Sequence, residues 1–196
     1  SRVVALDAST GKTRWSTVRD HRKTSYATPI VVPDKDGKPQ LICVSGNMGI
    51  TSLNPHTGVM NWQGQSFPLR TVASPVYGNG LLIASCGQGG RWGVQQMAVS
   101  LNGDLDEDGR AKIVWERKKV IPYVPTPVVY EGHLYEWSDE GICACVDLDN
   151  GKDIWVKRLG GNYSGSPICI DGKLYCIAED GEVVVIAASP EFKELG

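Results

Sequence analysis

Apolar and polar positions along this chain change over in runs of only a few residues. Ser166-Pro167-Ile168-Cys169-Ile170 leads into Asp171-Gly172, and Lys173-Leu174-Tyr175-Cys176-Ile177 follows. Alternating runs on either side of Asp-Gly predict a β-hairpin. Equivalent turns stand at Asp36-Gly37, Asn79-Gly80 and Glu131-Gly132. A second set follows at Gly46-Asn47-Met48-Gly49, Asp139-Glu140-Gly141 and Glu179-Asp180-Gly181, each leading into a third run. A fourth run closes the unit with a tryptophan. Each unit therefore reads as a four-stranded antiparallel meander, with strands A to D.

The tryptophans repeat. Ala5-Leu6-Asp7-Ala8-Ser9-Thr10-Gly11-Lys12-Thr13-Arg14-Trp15 is the clearest copy. Asn54, Gly58 and Trp62 hold the same places in a second copy, and Asp147, Gly151 and Trp155 in a fourth. A third copy is interrupted by an acidic insert before Ile113-Val114-Trp115. The spacings of 47, 53 and 40 residues point to propeller blades or similar arrays. One meander cannot bury both faces alone, so the units must stack, and radial stacking leaves only short protected edges. The indoles then serve as wedges between blades, with their N–H groups seeking acceptors. The Asp/Asn and Thr suit self-capped turns, and the Gly supplies a positive φ. Thr28-Pro29, Ser74-Pro75, Thr126-Pro127 and Ser166-Pro167 repeat in phase with the tryptophans.

The fold class is therefore all-β, a propeller made of four-stranded antiparallel blades. Residues 1–18 supply strands C and D of one blade. Residues 26–66, 71–119 and 123–160 supply three full blades, and residues 164–188 supply strands A to C of another. The whole of 1–196 reads as one partial ring of about four blades. An open ring exposes apolar blade faces and strand edges, so a second copy completing the ring is an expected partner.

Residues 5–15 resemble, at every fixed position, the tryptophan-docking repeat of quinoprotein alcohol dehydrogenases, Ala-x-Asp-x-x-Thr-Gly-Lys-x-x-Trp. The resemblance implies a PQQ-like β-propeller. That family holds quinone-dependent dehydrogenases, an outer-membrane assembly lipoprotein and many exported bacterial proteins. Leu159-Gly160-Gly161-Asn162-Tyr163-Ser164-Gly165-Ser166-Pro167 and Ala188-Ser189-Pro190-Glu191-Phe192 look most like the last group. The resemblance implies a periplasmic or secreted location. In the dehydrogenases the quinone is clamped by a disulfide between adjacent cysteines, with a calcium ion held by Glu and Asn and an Asp as base. This sequence has no adjacent Cys-Cys pair, and no Glu/Asn/Asp set can be matched to those roles. PQQ is not expected as a cofactor.

Composition narrows the picture further. Hydrophobic residues make up 41%, charged residues 21%, and the net charge is −2. That balance lacks the basic patch a nucleic-acid partner needs, and no apolar run reaches the roughly 20 residues of a transmembrane segment. The six cysteines lie in or beside apolar strand patterns. Cys143 and Cys145 share one strand about 6.5 Å apart, which suits a disulfide poorly, so the cysteines read as small buried hydrophobes.

D-to-A and B-to-C loops share one face of a propeller. They would carry the Arg19-Asp20-His21-Arg22-Lys23 cluster, Tyr26, Asn47, Arg70, Arg91-Trp92, Tyr123, Asp139-Glu140, Tyr163 and Glu179-Asp180. The Gly-rich Gly87–Gly93 loop lacks Gly-Lys-Ser/Thr and is not a phosphate loop. The acidic insert sets Asp104, Asp106 and Asp108 at alternate positions before Gly109, like the start of an EF-hand-type calcium loop. Two readings stand, a calcium site at these carboxylates and a solvated insertion. The functional expectation is a non-enzymatic scaffold that binds a protein or polysaccharide through its loop face. The alternative is a fragment of a quinone- and calcium-dependent dehydrogenase.

Overall fold

A computed structural model describes residues 2–20, 23–87, 94–101 and 104–196. Among the described residues, seventeen strands form five antiparallel sheets, and each sheet takes its strands in chain order. The first blade has two, β1 (Arg2–Leu6) and β2 (Thr13–Val18). The second has β3 (Ile30–Pro33), β4 (Pro39–Ser45), β5 (Gly49–Leu53) and β6 (Met60–Gln63). The third has β7 (Val76–Gly78), β8 (Leu81–Cys86), β9 (Gln95–Ser100) and β10 (Ile113–Arg117). The fourth has β11 (Val128–Tyr130), β12 (His133–Trp137), β13 (Ile142–Asp147) and β14 (Asp153–Arg158). The fifth has β15 (Ile168–Ile170), β16 (Lys173–Ile177) and β17 (Val183–Ala187). Among the described residues there is no helix long and apolar enough to cross a membrane.

Turn chemistry sets the strand ends. Asn79-Gly80, Glu131-Gly132 and Asp171-Gly172 all have positive φ at both residues, the geometry of the two-residue hairpin turn that matches strand twist. The cores lie between blades. One cluster holds Ile42, Ile50, Leu82 and Met97 from the second and third blades. Another joins Leu81, Ile83, Leu134 and Val146 across the third and fourth. A further one joins Tyr135, Trp137, Cys143, Leu174 and Ile186 across the fourth and fifth. The central strands β5 and β8 are buried along their whole length, because each is covered on both faces.

The tail brings a strand-like segment that its sequence hides. Beyond β17 the chain turns back, and Leu195 N–H donates to Val185 O at 2.8 Å while Ala187 N–H donates to Lys193 O at 2.9 Å. Ile186 and Glu194 form an antiparallel bridge. Residues 193–196 thus line the outer edge of the fifth blade.

Candidate functional site

Two sets of hydrogen bonds tie each blade to the next. On the outer rim, the Trp15 indole N–H donates to Pro55 O at 2.9 Å, Trp115 to Leu148 O at 2.8 Å and Trp155 to Ser189 O at 3.0 Å. Each acceptor lies in the stretch after the third strand of the following blade. Trp62 packs against the core between the second and third blades. The motif glycine is the floor of this dock. A Cβ on Gly58 would sit 2.4 Å from the Trp15 ring, and one on Gly151 would sit 2.7 Å from the Trp115 ring. Gly11, in the first blade, faces open space. Opposite each tryptophan the paired strand carries a small residue: Ala5, Ser52, Ala98 and Cys145.

The second set joins the Ser/Thr-Pro markers. The Thr28 N–H donates to Ser74 Oγ at 3.0 Å, Ser74 N–H to Thr126 Oγ1 at 3.0 Å and Thr126 N–H to Ser166 Oγ at 2.9 Å. Each hydroxyl accepts from the blade before it, and each following proline gives up an N–H that has no strand partner to meet. The sequence showed the phase of these markers; their linkage is a three-dimensional fact.

The motif aspartates cap their own turns. Asp7 Oδ1 accepts from the Thr10 N–H at 2.9 Å and the Ser9 hydroxyl at 2.7 Å, and Oδ2 faces Arg14. Hydrogen bonds from Ser9, Arg14 and Thr10 hold its carboxyl well below the usual carboxylate range. Asn54 and Asp147 cap their turns in the same way.

The loop face differs in detail from the expected cluster. Arg19 is buried, 7% exposed, and its Nη2 donates to Thr51 Oγ1 at 2.5 Å inside the second blade. Tyr163 is also buried, 2% exposed, within the core between the fourth and fifth blades. Neither is a rim residue, because the connectors that carry them dive between blades. Tyr26 is exposed, and the Arg70 guanidinium lies 5.9 Å from the centre of the Tyr123 ring. His21, Arg22, Arg91, Trp92 and residues 88–90 and 93 of the Gly-rich loop lie outside the described residues, as do Asn102 and Gly103.

Between the third and fourth blades this face opens into a cleft of about 270 Å³. Val94, Val120, Ile121 and Ile142 give it apolar walls, and Lys118, Lys119, Asp139 and Glu140 also line it. A buried polar group also joins the third and fourth blades. Arg117 of β10 pairs with Glu136 of β12 and with Asp153 of β14. The Gln96 amide donates to Glu136 and its oxygen accepts from Arg117 at 3.2 Å. Burial pushes the Glu136 carboxyl up, against the pull of Arg117. Burial alone would lower Arg117, but Glu136 and Asp153 outweigh it and raise it.

The acidic insert folds back on the second blade. Asp106 Oδ1 accepts the N–H groups of Asp108 at 3.1 Å and Arg110 at 2.9 Å. Its Oδ2 accepts from Gln65 Nε2 at 2.7 Å, Arg110 Nη1 donates to Gly64 O at 3.3 Å, and Ala111 N–H donates to Gln63 O at 2.8 Å. Asp104 and Asp108 are exposed. Among the described residues no group of three or more His, Cys, Asp or Glu side chains is placed to hold a metal ion. All six cysteines are free thiols, and none adjoins another in the sequence.

Stacked four-stranded blades joined by tryptophan docks define a PQQ-like β-propeller. Residues 1–188 match the family described as outer membrane protein assembly factor BamB (PQQ_2), and the chain belongs to that family. It is 24% identical over 201 residues to the outer membrane protein assembly factor BamB of Moranella endobia (strain PCIT), covering 96% of this chain and 47% of that protein. The chain spans about half the length of the relatives it matches. Among solved structures it resembles BamB from Moraxella catarrhalis, with a TM-score of 0.67 and 21% identity over 100% of this chain and 54% of that one. It resembles a europium-containing methanol dehydrogenase equally well, with a TM-score of 0.67 and 16% identity over 95% of this chain and 44% of that one. The structural likenesses show the fold alone.

Proposed function

We propose that the chain serves as a non-catalytic propeller scaffold in the periplasm, binding a protein partner through its loop face. The observation that carries this reading is the family match running through residues 1–188, whose relatives are named as assembly factors. The geometry supports it. The outer rim is occupied by tryptophan docks and the Ser/Thr-Pro belt by blade-to-blade hydrogen bonds. The loop face keeps exposed side chains on a rigid frame, where recognition commonly resides.

The test is site-specific photocrosslinking in the native host. A photoreactive residue replaces Tyr26 or Lys119 on the loop face, or Val59 on the outer rim. Loop-face positions are expected to give a defined protein adduct and Val59 none. A polysaccharide partner would give a glycan adduct instead and revise the partner class. The dehydrogenase alternative is tested with added quinone and calcium, following dye reduction with alcohols; turnover would overturn the scaffold reading.

A further inference from the structure

Successive turns of a meander alternate between its two ends, so the A-to-B and C-to-D turns lie opposite the loop face. At that end, between the second and third blades, a pocket of about 200 Å³ lies beside Trp62. The third-blade stretch that follows β9 is the copy of the motif broken by the acidic insert. Trp62 is half-buried: it packs on the inter-blade core and also lines the pocket, with Leu101 adding apolar surface.

A relay of side chains orients one wall. Gln40 Nε2 donates to Leu101 O at 3.3 Å, Ser52 Oγ donates to Gln40 Oε1 at 2.6 Å, and Asn61 Nδ2 donates to Ser52 Oγ at 2.9 Å. The direction is forced from its far end. A backbone carbonyl can only accept, so Gln40 must turn its nitrogen to Leu101 and its oxygen to Ser52. Ser52 spends its one proton on Gln40 and must accept from Asn61. The amide oxygen of exposed Asn61 is therefore the atom left over as an acceptor. Gln40 and Ser52 are 3% and 0% exposed, so this arrangement is set before any ligand arrives.

The other polar groups add both kinds of partner. Asn54 Oδ1 accepts the His56 and Thr57 N–H groups at 2.9 and 3.2 Å, which leaves its NH₂ as a donor. Asp34 Oδ1 accepts from the Asp36 and Lys38 N–H groups at 2.9 and 2.8 Å, which leaves Oδ2 as an acceptor. Lys35 and Lys38 are exposed and also line the pocket. Two ammonium groups thus stand beside one carboxylate, and net charge gives little selection. Paired donors and acceptors around an indole select a molecule that carries hydroxyls at its edge and C–H groups on its face. A peptide side chain offers too few hydroxyls to meet them, whereas a pyranose ring offers both.

We propose that this pocket binds a neutral pyranose unit of a glycan. The C–H face of the sugar rests on Trp62, and its hydroxyls meet Asn61, Asn54, Asp34 and the two lysines. The assignment goes beyond the protein-binding reading, which its failure would leave standing.

The test follows indole and side-chain amide signals of the isotope-labelled full chain by NMR. Cellobiose, maltose and N,N′-diacetylchitobiose are titrated in turn. At least one is expected to shift the Trp62 indole and the Asn54 and Asn61 amides saturably, with a dissociation constant on the order of 1 mM, while the Trp15, Trp115 and Trp155 indoles stay still. Asn61→Ala is expected to weaken that binding about tenfold, the loss of one hydrogen bond, and to fold as the parent does. Lys38→Ala, at an exposed position, is expected to weaken it as well. The assignment is overturned if none of the three sugars shifts these signals, or if both variants bind as the parent does. Sorbitol, which carries the hydroxyls without the ring, and sodium galacturonate, which adds a charge, are run in parallel. Equal shifts with sorbitol, or shifts with galacturonate alone, would also overturn it.

Discussion

Gly58 and Gly151 meet two demands at once. Each holds a positive φ, +73° and +70°, and each lies flat beneath the indole of the preceding blade. Gly11 meets only the first, with a φ of +69° and nothing within 4 Å. This difference allows a clean comparison. Gly11→Ala is expected to cost about 1 kcal/mol or somewhat more, from backbone strain alone. Gly151→Ala adds overpacking against Trp115, typically about 1–3 kcal/mol, because the ring is pinned through its N–H to Leu148. Urea unfolding of the two variants checks this; equal losses would mean that the indole yields freely. The buried thiols give a second prediction. Burial pushes Cys145 up to about 11 and Cys176 up to about 12, against an ordinary value of about 8.5. At pH 8 the thiolate is scarce, so Ellman's reagent should label the native chain slowly, with the half-buried Cys169 first. All six should react once denaturant opens the blades.

Between elements, the third and fourth blades meet through Arg117 and Glu136, 8% and 1% exposed. Removing one member of a buried pair leaves the other charge uncompensated and costs about 3–5 kcal/mol. Arg117→Ala or Glu136→Ala should show this loss in urea unfolding, whereas an Arg117→Met, Glu136→Leu double variant should recover most of it. If the single variants lose under about 1 kcal/mol, the pair is reached by water. The acidic insert makes a different junction, since Asp106 caps its own turn and also accepts from Gln65. Asp106→Ala is expected to cost about 1–2 kcal/mol without any metal present. Calcium should leave the parent's melting temperature unchanged; a calcium-dependent rise abolished by Asp106→Ala would make the insert a calcium site. Local chemistry made much of this scale readable in advance. Asp-Gly and Asn-Gly located hairpins, and the motif glycines located turns. Arg117 and Glu136 could not be paired from sequence, being on strands of different blades. Arg19 and Tyr163 looked like rim residues because a connector's depth is set by neighbouring blades. The pairing of residues 193–196 was also hidden, since Glu191-Phe192-Lys193-Glu194 keeps none of the motif. Only contact shows Phe192 edge-on to Trp155, with ring centres 5.2 Å apart.

For the whole molecule, the decisive feature is that both outer blade faces are apolar. Val4, Leu6 and Val18 are 47%, 59% and 68% exposed on the first blade. Ile168, Ile170 and Ile177 are 56%, 52% and 51% exposed on the fifth. Alternation makes these the sides turned away from the neighbouring blade. Apolar surface of this kind favours burial against another blade. The two faces belong to different sheets, so a contact between them is heterologous and either closes into a ring or propagates. We propose that a second copy closes it. The seam would lack one device found at three other junctions, since no indole reaches Gly11. Apolar contact alone would hold it, so association should be weak and concentration-dependent. Light scattering across a dilution series should show a monomer–dimer equilibrium, and Val4→Lys or Ile170→Lys should each shift it to monomer, because each places a charge on one side of the same seam. A parent chain that stays monomeric throughout would exclude the second copy, and dimerisation untouched by either substitution would place the contact on another surface.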